Sequence, residues 1–244
     1  MSTQLVYGRH PVMEVLRAGR RKVISIFYVE GTSHNLKELL DLAARKGVAL
    51  KTAGRRQLDE RSRSENHQGV IAVVELPQLR DFQSFVANVM SKNKKPVVVV
   101  LDSITDPRNF GAILRSAEAF GVCGAVFAKN RSCEINSTVI KASAGATEYM
   151  EFCRVTNISR TLEKLHGEGF HIIAAETNGK VPLDKFKPSF PLAVVLGSEG
   201  KGIRPLVKKN CDETIRIAHS GNVGSLNVSA AAAVIFYRIY YHEL

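Results

Sequence analysis

Three stretches of the chain carry residue types that can do chemistry at a spacing chemistry can use. In LDSITDPRNFGAILRSAEAFG, residues 101–121, an apolar run ends in Asp102, and Asp106-Pro107 marks a turn and the start of a helix. Ile113, Ala117 and Phe120 share one apolar face of that helix. Arg115 follows Ile113 by two residues, about 200° around at 3.6 residues per turn, and so falls with Gly111 and Glu118 on the opposite face. An arginine beside a glycine near the carboxyl end of a strand suits a phosphate; a surface ion pair with Glu118 is the plainer alternative. In VVLGSEGKGI, 194–203, three glycines follow an apolar run, with Glu199 and Lys201 among them. In GNVGSLNVSAAAAVIFYRIYY, 221–241, two more glycines and Ser225-Leu226-Asn227 run into a helix whose first turns are almost all alanine. Ser225 or Asn227 at a helix start is most often a cap, and the alanines at 230–233 serve helix propensity and close packing.

The loop at 194–203 invites a phosphate reading, which its details oppose. A P-loop ends in Gly-Lys-Ser/Thr because the hydroxyl holds magnesium, whereas Lys201 is followed by Gly202. The dinucleotide fingerprint needs G-x-G-x-x-G opening a crossover helix early in a βαβ unit, whereas these glycines run G-x-x-G-x-G, late in the chain, with Pro205 close behind. What survives is a close backbone approach to a ligand at the carboxyl end of a buried strand, where open α/β sheets bind. A tight glycine-bearing turn at 221–227, aiming backbone N–H and C=O groups at one place, suits an adenosine and amino-acid ligand.

The elements that must position these stretches follow from periodicity. From Pro96 onward the runs 97–102, 124–129, 170–177, 192–198 and 214–219 read as strands, with helices between and after them. In NISRTLEKLHG, 157–167, Ile158, Leu162 and Leu165 have helical spacing and Gly167 marks the stop. Strands so apolar, without alternation, imply burial on both faces and therefore an α/β fold, a mostly parallel sheet with helices on both faces. Residues 1–76 read as a separate small α/β unit with strands at 23–30 and 69–76 and a helix at 35–47. Residues 77–95 read as a linker with a short helix, and 96–244 as the larger domain.

Charge points to a polyanionic partner. The 244 residues carry 34 Lys and Arg against 23 Asp and Glu, a net charge of +11. Residues 1–76 and 94–244 each hold a surplus of +5, so the smaller unit is about twice as basic per residue. Its clusters RAGRRK (17–22) and RRQLDERSR (55–63) suit backbone phosphates or a merely solvated surface. No stretch approaches the roughly 20 apolar residues of a membrane span, and the first 21 residues do not read as a targeting segment. The four cysteines form no C-x-x-C pair and no histidines fall in an H-x-x-x-H pattern, so reduced thiols, no metal site and a cytoplasmic location are expected.

The three stretches, in this order, resemble the signature motifs of the SpoU (TrmH-type) ribose methyltransferases of the SPOUT superfamily. The first matches as Asn109, five residues, then Arg115; the second as LGSEGKGI with Gly197, Glu199 and Gly202; the third as IRIAHSGNVGSLNVSAAAA, from Ile215 through Ser225, Leu226 and Asn227. VIKASAGATEYM, 139–150, also looks like the family. In the smaller unit YGRHPVMEVL (7–16) and HQGVIAVV (67–74) resemble the substrate-binding domain of the RlmB-type branch, which methylates a guanosine ribose in 23S ribosomal RNA. One departure is that the third motif often has Ile-Pro-Met, where this chain has Arg216-Ile217-Ala218-His219.

The resemblance implies a carboxy-terminal trefoil knot, S-adenosylmethionine as cofactor, RNA as partner and a homodimer through the larger domain. It implies that Gly197, Gly202, Ile217 and Leu226 hold the cofactor, with Thr177 bordering the pocket, and that Asn109, Arg115, Glu199, Ser225 and Asn227 form the catalytic set. In that set Arg115 faces the reacting hydroxyl, the two asparagines orient substrate and loop, and Glu199 orients Arg115 or the third-motif turn. The last helix carries Phe236/Tyr240 and Tyr237/Tyr241 as i, i+4 pairs for a dimer interface or for packing on the chain's own sheet. The rival readings are the same reaction on transfer RNA, a catalytically silent RNA-binding or ribosome-assembly protein, and a nucleotide-phosphate-binding protein.

Overall fold

The computed structural model describes residues 2–31, 33–63, 66–92, 94–221 and 224–241. Its chain divides into two units, one up to Pro77 together with Ile135–Glu148, the other Gln78–Glu134 with Tyr149–Leu244. In the first unit β1 (Thr3–Tyr7), α1 (Arg9–Ala18), β2 (Val23–Val29), α2 (Ser33–Arg45), β3 (Ala49–Ala53), α3 (Arg55–Arg61) and β4 (Val70–Glu75) follow one another. Its sheet has the order β1-β4-β2-β3, with β4 antiparallel to both neighbours and β2 parallel to β3. β1 escapes the periodicity because its five residues alternate only weakly, and β3 because all but Ala53 are exposed.

The second unit contains β5 (Leu79–Arg80), α4 (Phe82–Lys92), β6 (Val97–Asp102), α5 (Pro107–Ala119) and β7 (Gly124–Ala128). After α6 (Ser137–Ala142), which clusters with the first unit, come β8 (Glu151–Val155), α7 (Ile158–Gly167), β9 (His171–Ala175), β10 (Val181–Pro182) and β11 (Leu192–Gly197). α8 (Pro205–Lys208), β12 (Glu213–Arg216) and α9 (Val228–Tyr241) complete it. The stretch read as a linker supplies β5 and α4, which lie in the sheet and its cover, and 135–148 groups with the small unit rather than the large one. Among the described residues no helix is long and apolar enough to cross a membrane.

The eight strands run β10-β12-β9-β11-β6-β7-β8-β5, every pairing parallel. All six residues of β6 and all five of β7 are buried, as a sheet covered on both faces requires. Val98, Val100, Val126, Ala193 and Val195 face α4 and α7, where Phe85, Val89, Ile158, Leu162 and Leu165 complete the layer. On the other face Phe127 meets Phe110 of α5 edge-on at 5.4 Å, and α5 packs against α9. That second neighbour buries Gly111, which the single apolar face had placed with the exposed Arg115 and Glu118.

The chain runs outward from β6 through β7 to β8, then crosses to β9 and returns β11 to the side of β6. The strand order therefore reverses between β6 and β11, where open parallel sheets form their crevices. Both strands end there in stretches already singled out, Asp102 beside Gly197 in register.

Candidate functional site

Beyond β11 the chain folds into a tight glycine turn. Ser198 N–H donates to the Gly202 carbonyl at 3.1 Å and Gly202 N–H returns to the Ser198 carbonyl at 2.9 Å. Gly200 and Gly202 have φ of 79° and 63°, the left-handed region that glycine enters without a Cβ clash. Gly197 is required for a different reason: a Cβ there would lie 2.2 Å from the Gly202 carbonyl carbon. An ion pair, buried at its carboxylate end only, holds the far side of the turn. The Asp102 carboxylate, fully buried, accepts from Arg204 Nε and Nη2 at 2.7 Å and from Arg204 N–H at 2.9 Å. The end of β6 is thereby bonded to the loop leaving β11.

Across this crevice one carboxylate gathers two of the three motifs. Glu199 Oε1 accepts from Asn109 Nδ2 at 3.0 Å and also from Asn227 Nδ2. Asn227 Nδ2 in turn donates to Asn109 Oδ1 at 3.1 Å, closing a triangle. Asn109 can reach because Asp106 caps α5, accepting from Arg108 N–H at 3.0 Å with Pro107 at the first helical position. Asn227 serves twice. Its Oδ1 accepts from Ser229 N–H at 2.9 Å and Ser229 Oγ at 2.6 Å, capping α9, while its Nδ2 serves the triangle. Cap and site residue, alternatives in the sequence, are one side chain here.

Behind the triangle lies a cavity of about 350 Å³, within the range of small-molecule sites. Thr177, Gly197, Glu199, Gly202, Ile217, Ser225, Leu226 and Asn227 line it, so the loops after β9, β11 and β12 converge with the start of α9. Leu196, Ile215, Val228 and Ile235 form apolar wall. Among the described residues the lining contains no Lys or Arg but includes Glu176, which is paired with Lys208, and Glu199. Such a wall offers phosphate no cationic partner and accommodates a cation beside an apolar body. Asn222 and Val223 of the 221–227 turn lie outside the described residues.

Arg115 does not line this cavity. It stands on the exposed side of α5, without an ion pair to Glu118 and without a hydrogen bond among the described residues. Six residues beyond Asn109, it lies about 9 Å further along the helix axis and about 120° around it. Glu199 is hydrogen-bonded to Asn227 of the third motif and, among the described residues, not to Arg115. Two residues that build the site were missed in the sequence. Arg204 is the partner of Asp102, and Glu176 accepts from Lys208 Nζ at 3.0 Å while lining the cavity. Both pair with partners distant in sequence, which local pattern does not reveal. Among the described residues no cluster of His, Cys, Asp and Glu has metal-site geometry. Cys133 and Cys153 are pushed up to about 11 and Cys211 to about 12, chiefly by burial, so all three stay thiols at neutral pH.

Residues 96–237 match the SpoU rRNA Methylase family, and residues 5–80 match the family described as RNA 2′-O ribose methyltransferase substrate binding. The Bacillus subtilis protein YacO, by name a TrmH family tRNA/rRNA methyltransferase, is 35% identical over 96% of this chain and 94% of its own. The 23S rRNA (guanosine-2′-O-)-methyltransferase RlmB of Vibrio parahaemolyticus is 34% identical over 97% and 96%. Among solved structures, the SpoU methyltransferase AviRb of Streptomyces viridochromogenes in complex with AdoMet superposes with a TM-score of 0.82, at 22% identity, covering 99% of this chain and 90% of that one.

Proposed function

This chain belongs to the SpoU rRNA methylase family, and on that premise we propose that it transfers a methyl group from S-adenosylmethionine to the ribose 2′-hydroxyl of a guanosine in 23S ribosomal RNA. The observation that carries the proposal is the cavity itself, cation-tolerant and bounded by both glycine turns, in a chain matched along its whole length by 23S rRNA guanosine methyltransferases. The match of residues 5–80 to a substrate-binding family favours ribosomal RNA over transfer RNA. The trefoil threading belongs to the same proposal. Its support is that β12 inserts between β9 and β10, with Gly179 so close to Ile215 that a Cβ would lie 2.3 Å from its carbonyl oxygen.

When bound, S-adenosylmethionine supplies an electrophilic methyl carbon on a positively charged sulfur. The chain must hold that carbon in line with the 2′-oxygen and manage the departing proton. Gly197, Gly202, Ile217 and Leu226 offer backbone groups and apolar surface to the cofactor, and Thr177 borders it. The Asn109–Glu199–Asn227 triangle fixes the turn against α5 and α9, and Ser225, exposed in the wall, hydrogen-bonds the substrate. Arg115, exposed, contacts an RNA phosphate and stabilises negative charge developing on the 2′-oxygen. A guanidinium with pKa above about 12 does not itself take the proton, so a phosphate or water does.

A homodimer through the larger unit completes the proposal. Tyr237, Tyr240 and Tyr241 are exposed on α9, with Phe120 ring to ring against the first two at 5.7 Å and 6.1 Å. Phe236 is fully buried, so it packs in the core and leaves the three tyrosines as the exposed set. A cytoplasmic location follows from a ribosomal RNA substrate. The test is incubation with methyl-labelled cofactor and separated, protein-free 23S rRNA and transfer RNA. Label confined to a 23S guanosine ribose is the expected result. Label on transfer RNA alone would reassign the substrate, and label on neither would favour a silent binder.

A further inference from the structure

The stretches YGRHPVMEVL and HQGVIAVV, 7–16 and 67–74, supply no lining residue of the cofactor pocket, yet they meet each other. Arg9 N–H donates to Gln68 Oε1 at 2.9 Å, and Gly8 N–H to the Val70 carbonyl at 3.3 Å. Together they open a second concavity of about 210 Å³ in the first unit. Gly8 has φ of 100°, a conformation open to glycine, whereas Gln68, which carries a Cβ, is held in the strained left-handed region at φ of 51°. His67 braces the turn from within. It is 4% exposed, its Nδ1 accepts from Gly69 N–H at 3.0 Å, and Nε2 therefore carries the proton toward Asp59 at 2.9 Å. Strain locked by a buried, fully used histidine aims Gln68 and Arg9 into the concavity.

The lining is cationic and polar on one side and apolar on the other. Arg17, Arg21 and Arg56 of the same unit each pair with a carboxylate. Arg9 and Arg55, both lining the concavity, have no such partner among the described residues, and no carboxylate among the described residues lines it. Val29 and Leu36 form the apolar side. Two unpaired guanidinium groups beside an amide suit a phosphate, and the apolar side suits the face of an unstacked base.

We propose that this pocket takes one unstacked nucleotide of the RNA substrate, its phosphate on Arg9, Arg55 and the Gln68 amide, its base against Val29, which the buried Leu36 backs. The inference rests on the proposed action on RNA, and it concerns binding rather than methyl transfer. The test is filter binding of protein-free 23S rRNA across a salt series to the wild-type chain and to Arg9→Gln, Arg55→Gln and Arg56→Gln. Arg56 is the control: it is 93% exposed, one residue from Arg55, carries the same charge and pairs instead with Glu60. The expected result is RNA affinity weakened about fivefold or more by Arg9→Gln and Arg55→Gln, with the salt slope reduced by about one, and little change in Arg56→Gln. Equal effects of Arg55→Gln and Arg56→Gln, or no loss with either pocket arginine, would overturn the proposal. Thermal midpoints and calorimetric uptake of S-adenosylmethionine, unchanged in all three, exclude misfolding. A wild-type chain that binds RNA but transfers no methyl group would defeat the proposed activity, while the three variants would still decide the pocket.

Discussion

Gly197→Ala is the substitution on which the site can be judged most sharply. The new Cβ would lie 2.2 Å from the Gly202 carbonyl carbon and 2.4 Å from both the Gly202 oxygen and the Ile203 nitrogen. Carbon atoms in contact sit about 3.5–4.0 Å apart, so the turn must retreat by more than about 1 Å. β11 cannot yield instead, because Gly197 is in register with Asp102 of β6, and Asp102 is itself bonded to Arg204. Retreat gives up the two hydrogen bonds between Ser198 and Gly202, each contributing about 0.5–1.5 kcal/mol net. Residual overpacking adds about 1–3 kcal/mol. The expected loss is therefore about 2–6 kcal/mol, concentrated in a wall of the cofactor cavity. At about 1.4 kcal/mol per factor of ten, even the lower figure weakens cofactor binding by about 30-fold. Isothermal calorimetry with S-adenosylmethionine, run beside thermal unfolding, measures both parts. Binding within twofold of wild type at an unchanged midpoint would refute the assignment of this turn to the cofactor.

Arg115→Ala should leave cofactor binding intact and lower the single-turnover rate on RNA by about 10²–10³, the range for removing one group that stabilises developing negative charge; near-wild-type turnover would remove Arg115 from catalysis. Asp102→Asn keeps the shape of the buried side chain but faces an amide toward Arg204 N–H. Because Arg204 is 42% exposed and can turn to water, the expected loss is about 2 kcal/mol rather than the 3–5 of a sealed pair, read as a lower denaturant midpoint. The raised thiols give a pH prediction with a definite sign. Unfolded cysteines lose their protons near pH 9 and the folded ones near 11 to 12, so the native state holds more protons in that interval. Stability should be unaffected below about pH 8 and fall from there to about pH 12, measured by denaturant midpoints; a rise would contradict the burial seen here.

Much of the fold was visible in the chain because its central strands are apolar without alternation. β6, β7 and β11 run where the sequence placed them, as does α7, since burial on both faces leaves a continuous apolar signal. Elements with a weaker signal went unread. β8 begins with Glu151, which pairs with Arg80 and Lys92, and the stretch 77–95, read as a linker with a short helix, holds that helix as α4 but also the unread two-residue β5. Within the site, Asn109, Glu199 and Asn227 were all named in advance, but not that a single oxygen would bind two amides.

Residue types and short spacings determined the menu of chemistry: glycines where the backbone must approach closely, no hydroxyl after Lys201 to hold magnesium, and a surplus of positive charge for a polyanion. These are local properties, dictated by sterics and valence within a few residues. Only the tertiary structure decided which menu items share a cavity. It set Asn227 against Asn109 across 118 positions, bonded Asp102 to Arg204 across 102, and left Arg115 outside the wall. Such meetings depend on the order in which parallel strands are laid side by side, which is set by packing of whole helices on the sheet and leaves no mark on neighbouring residues.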